Sequence, residues 1–590
     1  MIDLTHHAAR ASLAATLLAV PALAGGAVLH GLVTGADGAP IAGAIVTLGN
    51  ADGHSDSAYT DAVGRWHLVT DTLSGQLQLR ARAPGYADAT RPLTLAADDE
   101  HEESLALQAA ASPAAASAAL TASTHAATIP WTDDALRDGF ISQCMFCHQI
   151  GNDWTRKDAD EAYWRQVIRR MEGYGSVITG RESDAFRDTL ARSFKQPVTH
   201  AVRGATPHEG LAGVRYREWS FGAGMNYVHD IELGADGRFY GVDMGADLVW
   251  IVDPRNNAVE SIPFPESDLP LGGMFSGGVA PLGTFAARHG PHSIVAGPDG
   301  RMYMTCSLAG EICIFDPRTR AFEFHPVGAD GIYPHTLRFD AEGVLWFTMA
   351  LSNQIGRMDV ASGEIRLLDL PSNGFWRWLT DALLPAILKV SAWVGKRDLY
   401  VHLSHHKLSG EGHRIFNLPY GLDIDPVDGS VWYSKLYADR IGRVDPRTLE
   451  IEEFATPHGG PRRMRFAPDG TLWIPSFNEG VLMRFDPRAR QFTGAFPLPT
   501  LNPGEFETPY ALNIHPRTGD VWITGNLSDR MLRFVPATER FLDYPSPTRT
   551  MFARDVIFTG DGSVCTSNSN LPAAAIEGGR PKLLCIEPGS

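Results

Sequence analysis

Gly343-Val344-Leu345-Trp346-Phe347-Thr348, followed by Asn353-Gln354-Ile355-Gly356-Arg357, is the stretch that decides the fold. A turn glycine, an apolar strand with an aromatic at its centre, a short connection and a second strand fit the two-residue period of a buried antiparallel pair. The same order returns in Gly470-Thr471-Leu472-Trp473-Ile474-Pro475. Aligned on the Asp-Gly turn or its equivalent, seven repeats emerge: Tyr227–Pro254, His292–Pro317, His335–Val360, Tyr420–Pro446, Arg462–Pro487, Tyr510–Pro536 and Arg554–Pro588. Repetition at this length marks a propeller or an array. Radial closure removes the long exposed edges that isolated sheets would carry, so the pattern predicts a seven-bladed β-propeller over residues 215–590.

Several of these repeats carry further signatures: Gly290-Pro291-His292-Ser293-Ile294, and Val431-Trp432-Tyr433-Ser434 with Arg440-Ile441-Gly442-Arg443. With Leu345-Trp346-Phe347-Thr348 they resemble the streptogramin B lyase (virginiamycin B lyase) family over about 370 residues. The resemblance implies a propeller and, in that family, a C–O lyase with magnesium held by an acidic residue beside a catalytic histidine. The corresponding positions here are Met349, Lys435 and Gly525, with Asp243 the acidic match, which puts the magnesium site and the lyase activity in doubt.

Counting back from each turn places His229, His292, His335, Tyr420, Arg462, Tyr510 and Arg554 at the propeller axis. A buried arginine needs an anionic or hydrogen-bonding partner, so Arg462 and Arg554 are candidate binders of a small, anionic organic substrate. His229, His292, His335, Tyr420 and Tyr510 are the candidate catalytic set, a histidine acting as base beside a polarising Tyr or Arg. Three histidines are alternatively a divalent-metal set, and a water-filled channel is the plainest reading.

Ahead of the repeats, Cys144-Met145-Phe146-Cys147-His148 has the spacing at which two thiols add across haem vinyl groups and the adjoining imidazole reaches the iron. A helix start is the expected setting. Residues 129–202 have a helical pattern, and Trp164, Ile168 and Met171 share one face. This stretch resembles class I-type c cytochromes, in which a Trp-containing helix ends in a ligand Met before a Gly-containing loop. The resemblance implies a small α-helical cytochrome c domain with covalent haem c, ligated by His148 and Met171, with His200 or His208 as rivals to Met171. A haem closed on both sides suits electron transfer.

Residues 28–108 alternate as strands, and Leu32-Val33-Thr34, Gly43-Ala44-Ile45-Val46-Thr47-Leu48, Thr60-Asp61-Ala62-Val63-Gly64-Arg65-Trp66 and Ala83-Pro84-Gly85-Tyr86-Ala87 resemble the carboxypeptidase regulatory-like domain, an accessory β-sandwich. Residues 109–128, rich in Ala, Ser and Thr, have little to bury and are expected to form a linker. Arg10 before the apolar stretch Ala11–Leu23, ending Ala22-Leu23-Ala24, predicts a signal peptide over residues 1–24, with an uncleaved anchor as the alternative. Six cysteines suit that exported, periplasmic setting: two in the haem motif, and Cys306 with Cys313 and Cys565 with Cys585 close enough in sequence for two disulfides.

The insertion at residues 371–416 contains a helix-like apolar run, Phe375 to Val394, interrupted at Pro385. Capping the channel is preferred for it over docking the haem domain or contact with a membrane surface. His402, His405, His406 and His413 follow, on an expected solvated loop. A net charge of −17 without a Lys/Arg run argues against nucleic acid. The chain is thus expected to be multidomain and mainly β: an exported haem-c oxidoreductase serving a small-molecule substrate and another periplasmic redox protein. A C–O lyase with an appended haem domain and a non-catalytic sensor are the alternatives.

Overall fold

Val228–Leu233, Phe239–Asp243, Leu248–Asp253 and Ala258–Pro263 pair in order as an antiparallel meander, the first of six such four-stranded sheets. The other five begin at Pro291, Pro334, Pro419, Arg465 and Leu512. A seventh set comprises Ile557–Phe558, Val564–Asn568 and Lys582–Glu587, completed by the earlier strand Arg215–Ser220 antiparallel to the last of them. The two ends of the repeat region therefore share one sheet. This computed structural model describes residues 26–199, 208, 210–276, 286–394 and 410–587, apart from the side chains at 389 and 391–394. The expected signal segment, His200, His402, His405 and His406 lie outside the described residues.

The arrangement is β-propeller-like. From the first meander to the sixth, the five successive pairs of first strands pack on one another, and Val228–Leu233 also packs on Ile557–Phe558 and Val564–Asn568. The aromatic at each strand centre explains the stacking. Trp346 and Ile355 of the third sheet meet Leu422, Val431 and Tyr433 of the fourth, all buried. Burying each such side chain stabilises by roughly 1.5–3 kcal/mol, and the alternation directs it into the gap between sheets. Disulfides Cys306–Cys313 and Cys565–Cys585 each tie neighbouring strands within one sheet.

Residues 27–107 form a β-sandwich-like unit around Leu29, Val33, Val46, Trp66 and Leu79. Its strand His54–Tyr59 pairs antiparallel with Arg215–Ser220, so one sandwich sheet and the seventh set are continuous across eight strands. Arg82, bonded to both Asp88 and Glu577 at 2.5 Å, fastens the joint.

Two expectations change here. The stretch 109–128 is no free linker: it forms the helices Pro113–Ala118 and Ala122–Ala126, with all five residues of the second buried. Ser123 N–H donates to the Leu527 carbonyl at 2.8 Å, and Thr124 Oγ1 donates to Glu505. Small side chains leave little to bury alone but permit close approach to a larger surface. The apolar run of the insertion is one helix, Phe375–Val394, continuous through Pro385. Its Leu384 and Leu388 pack with Tyr227, Met244, Phe275 and Leu308, while Phe375, Trp378, Leu383 and Val390 face outward. Among the described residues no helix is long and apolar enough to cross a membrane.

Three helices, Asp134–Cys144, Glu161–Gly173 and Gly180–Arg192, occupy the expected helical region. Asp133, Asp160 and Thr179 cap them, Thr179 in a reciprocal capping box with Glu182. Trp164, Ile168, Phe140 and Phe186 join them in one core, which runs on into Tyr420, Phe477, Tyr510 and Phe552 of the repeat region. The helical unit is thus seated over the propeller-like axis.

Candidate functional site

All seven predicted axial residues are buried, none more than 3% exposed, and they meet one another. The ring centroids of His229 and His292 are 3.6 Å apart, those of His292 and His335 4.3 Å, and those of His335 and Tyr420 4.0 Å. Tyr420 and Tyr510 join hydroxyl to hydroxyl, and Tyr510 Oη lies 3.5 Å from His229 Nε2. Such spacing puts the neighbouring rings in direct contact at this level. Gly421 follows Tyr420 because a Cβ there would lie 2.4 Å from the Arg462 carbonyl oxygen.

Burial and nearby guanidinium groups push all three histidines well below their ordinary value, so they are neutral at neutral pH. His229 Nδ1 pairs with Asp230 at 2.8 Å, and His335 Nδ1 lies 2.9 Å from Thr336 Oγ1. The rings are tilted against one another, by 34° for His229 on His292 and 48° for His292 on His335. Among the described residues, the His/Cys/Asp/Glu group whose ligand atoms fall within 4.8 Å of one another is His289, Cys306 and Cys313, and those two sulfurs are bonded to each other. Asp243, the acidic match to the lyase pattern, accepts from Tyr227 N, Gly245 N, Asn226 Nδ2 and Trp250 Nε1. Lys435 is committed to Glu453 at 2.6 Å and the Pro371 carbonyl at 2.5 Å.

The two axial arginines differ. Arg554 donates through Nε to Ser569 Oγ and through Nη2 to the Cys147 carbonyl at 2.7 Å. Arg462 has no acceptor for Nε, Nη1 or Nη2, and no carboxylate reaches it among the described residues. Rings surround it, with centroids at 3.6 Å (Phe477), 4.2 Å (Tyr510), 4.5 Å (Phe146) and 5.4 Å (Tyr420). Burial pulls it below the usual guanidinium range.

Cys144-Met145-Phe146-Cys147-His148 sits directly against this arginine pair, at the end of the helix Asp134–Cys144 and not at a helix start. Phe146 is edge-on to Tyr420 at 6.0 Å. Gln149 anchors the segment, donating through Nε2 to the Asn526 and Met551 carbonyls and to Asp529, while its N–H donates to Asn570. Both thiols are free. Burial pushes them up, opposed at Cys147 by the fields of Arg554 and Arg462. Cys144, Phe146, Cys147, His148, Tyr333 and Tyr437 are each only half-buried. His148 donates from Nδ1 to the Gln149 carbonyl at 3.0 Å, which leaves Nε2 as the lone-pair nitrogen, and burial keeps the ring neutral.

Met171 is half-buried at the end of Glu161–Gly173, its carbonyl accepting from Tyr174 and Ser176 N–H. His208 is engaged at the sixth sheet, its Nε2 bonded to the Asp543 carbonyl and its ring packed on Tyr544. His413, expected on a solvated loop, is buried against Tyr437 at 4.9 Å, and burial pulls it down to about 3.

Sequence reasoning missed the layer one residue further along. Arg463 bonds Asp230 at 2.8 Å and lies 3.6 Å from Asp555, which also holds Arg465 at 3.2 Å. The signal was present: a charged residue follows the axial one in His229-Asp230, Arg462-Arg463 and Arg554-Asp555.

Comparison with known proteins finds one family model and several solved structures. Residues 28–108 match the family model of the carboxypeptidase regulatory-like domain. A streptogramin B lyase structure is 16% identical and covers 64% of this chain and all of its own, with a TM-score of 0.47. Virginiamycin B lyase from Staphylococcus aureus, solved alone and as an inactive variant with quinupristin, is 16% identical over 63% of this chain and 99% of its own, with a TM-score of 0.46. No curated protein matches by sequence.

Proposed function

We propose that this is an exported c-type haem protein, in which a cytochrome c-like helical unit relays electrons and a seven-bladed propeller supplies a ligand site at its axis. One observation carries the reading: two unpaired thiols and a neutral histidine whose Nε2 keeps the lone pair lie together, half-buried, at the end of one helix. Buried thiols left as bystanders have no reason to keep that spacing beside an oriented imidazole. Cys144 and Cys147 would hold the haem covalently and His148 would be its first axial ligand. Bound there, the group supplies one-electron chemistry.

The chain's own residues do the rest. The Gln149 carbonyl fixes the His148 tautomer, and Gln149 Nε2 locks the segment to the sixth and seventh sheets. Arg554 ties the Cys147 carbonyl to the axial ring, so a ligand at the axis and the haem edge would share a hydrogen-bonded neighbour. Met171 is the proposed second axial ligand; it is on the same helix face as buried Trp164 and Ile168. The partner is another periplasmic redox protein.

Pyridine haemochrome and intact-mass analysis of protein matured with a cytochrome c assembly system test this. Covalent haem, one per chain, is expected in wild type and absent in Cys144→Ser/Cys147→Ser. Turnover of an organic substrate that continues unchanged in that double variant would favour the lyase reading. Ligand binding without any reduction of the haem would favour a sensor.

A further inference from the structure

Two cations of the repeat region hold the Cys144–His148 segment. Arg554 Nη2 donates to the Cys147 carbonyl at 2.7 Å, and Arg462 lies 4.5 Å from the ring centre of Phe146, between the two cysteines in sequence. A guanidinium bonded to the backbone of Cys147 stays within one residue's reach of that cysteine's sulfur and of the adjoining His148. The side chains feel it. Burial raises the Cys147 thiol, opposed by Arg554 and then Arg462, and burial lowers the His148 ring with Arg554 adding to the effect.

Both charges are permanent, since a guanidinium keeps its proton inside a protein. Neither is paired with a carboxylate among the described residues. Arg554 is tied to Ser569 and the Cys147 carbonyl, and Arg462 is ringed by Phe477, Tyr510, Phe146 and Tyr420. Arg463, one residue on, has Asp230 and Asp555 to blunt its field. Two acids border the segment, Glu182 acting on Cys144 from its capping box and Asp529 bonded to Gln149. Among the described residues no ion pair joins either acid to Arg462 or Arg554. A buried charge with little water to screen it acts strongly on its neighbours, and it disfavours whichever state of a neighbouring group is the more positive. Charge and burial around a redox centre set its potential.

We infer that Arg554 and Arg462 are positioning residues for electron transfer, their uncompensated charges raising the potential of a haem held by Cys144 and Cys147. This deepens the proposed function and rests on its haem reading. The step moves one electron from the redox partner to the iron, ferric to ferrous, and no proton follows because both guanidinium groups are charged before and after. Arg554 bonds the segment directly and weighs more. Arg462 makes no hydrogen bond, so its removal takes away charge and leaves the anchors of the segment in place.

Spectroelectrochemical titration of the matured holoprotein tests this, with pyridine haemochrome content and the ligand-sensitive absorption bands recorded for every sample. Arg554→Met should make reduction at least tenfold less favourable, a fall in midpoint potential of about 59 mV or more for one electron. Arg462→Met should lower the reduction equilibrium at least threefold with haem content and ligand bands unchanged. Arg554→Lys, which keeps the charge and alters the hydrogen bonds, should retain most of the wild-type potential. An unmoved or raised potential in Arg462→Met would overturn the inference. A fall seen only together with altered ligand bands would do the same, because a changed ligand would then be the cause. So would an Arg554→Lys potential as low as that of Arg554→Met, since the arginine would then act through its hydrogen bonds alone. Should Arg554→Met lose its haem, the Arg462→Met potential decides. Wild type without covalent haem sinks the haem reading and this inference together, whereas full haem with an insensitive potential sinks this inference alone.

Discussion

Arg462 and Arg463 are adjacent in sequence and equally buried, yet they inhabit opposite electrostatic worlds. Arg463 lies in a layer where Asp230 and Asp555 balance the arginines. Arg462 belongs with Arg554 to a layer that holds two cations, aromatic rings and the Cys144–His148 segment, with no acid among the described residues. The first layer pairs its cations with acids as folded, although Arg463 Nε and Nη2 and Asp230 Oδ2 make no hydrogen bond. The second is chemically unfinished. That difference separates what holds the axis together from what the axis is for.

The comparison breaks most readily at Arg463. Arg463→Met strips Asp230 of its cation in the interior and should cost about 3–5 kcal/mol in denaturant unfolding. Arg462→Met, measured the same way without ligand, should change stability by less than about 1 kcal/mol, since it removes an uncompensated charge along with its ring contacts. Equal losses at the two positions would erase the distinction. The seventh sheet contributes to both layers through Arg554 and Asp555, and the Cys565–Cys585 bond ties two of its strands. Replacing both cysteines by serine should lower stability by about 2–4 kcal/mol.

Gln149 sharpens the comparison from the other side. Gln149→Ala leaves buried Asp529 and two carbonyls short of a donor and should cost about 1–3 kcal/mol, seen as earlier loss of the helical unit by far-UV dichroism. The smallest effect concerns pH. Burial and the neighbouring cations hold His292 well below 6.5, so below pH 6.5 the unfolded chain takes up a proton that the folded one refuses. Stability is therefore lost as pH falls from that point, by up to about 1.4 kcal/mol per pH unit from this group. Urea melts of His292→Phe should show a correspondingly shallower decline than wild type; parallel declines would mean that the ring accepts a proton in place.

Much of this was legible in the chain. The turn-aligned repeats singled out seven residues that the fold buries and brings near one another, because one residue per repeat holds the same place in each sheet whatever its chemistry. The CxxCH spacing likewise stood out. Their juxtaposition did not, since it depends on Gln149 reaching Asn526, Asp529 and Met551 some four hundred residues away. Periodicity also hid the Arg463 layer: taking one residue per blade stopped a position short of the charges that follow. The stretch 109–128 misled for a related reason, its small residues being apt both for a free linker and for close packing on Leu527.

The central claim is that the acid-free layer lies beneath a haem. Intact-mass analysis after acid–acetone extraction tests it most directly. Haem that stays with wild-type protein and is absent from Cys144→Ser/Cys147→Ser is the predicted result. A wild-type chain, matured alongside an authentic c cytochrome that acquires its own haem, but itself of bare polypeptide mass with both thiols still free, would contradict it.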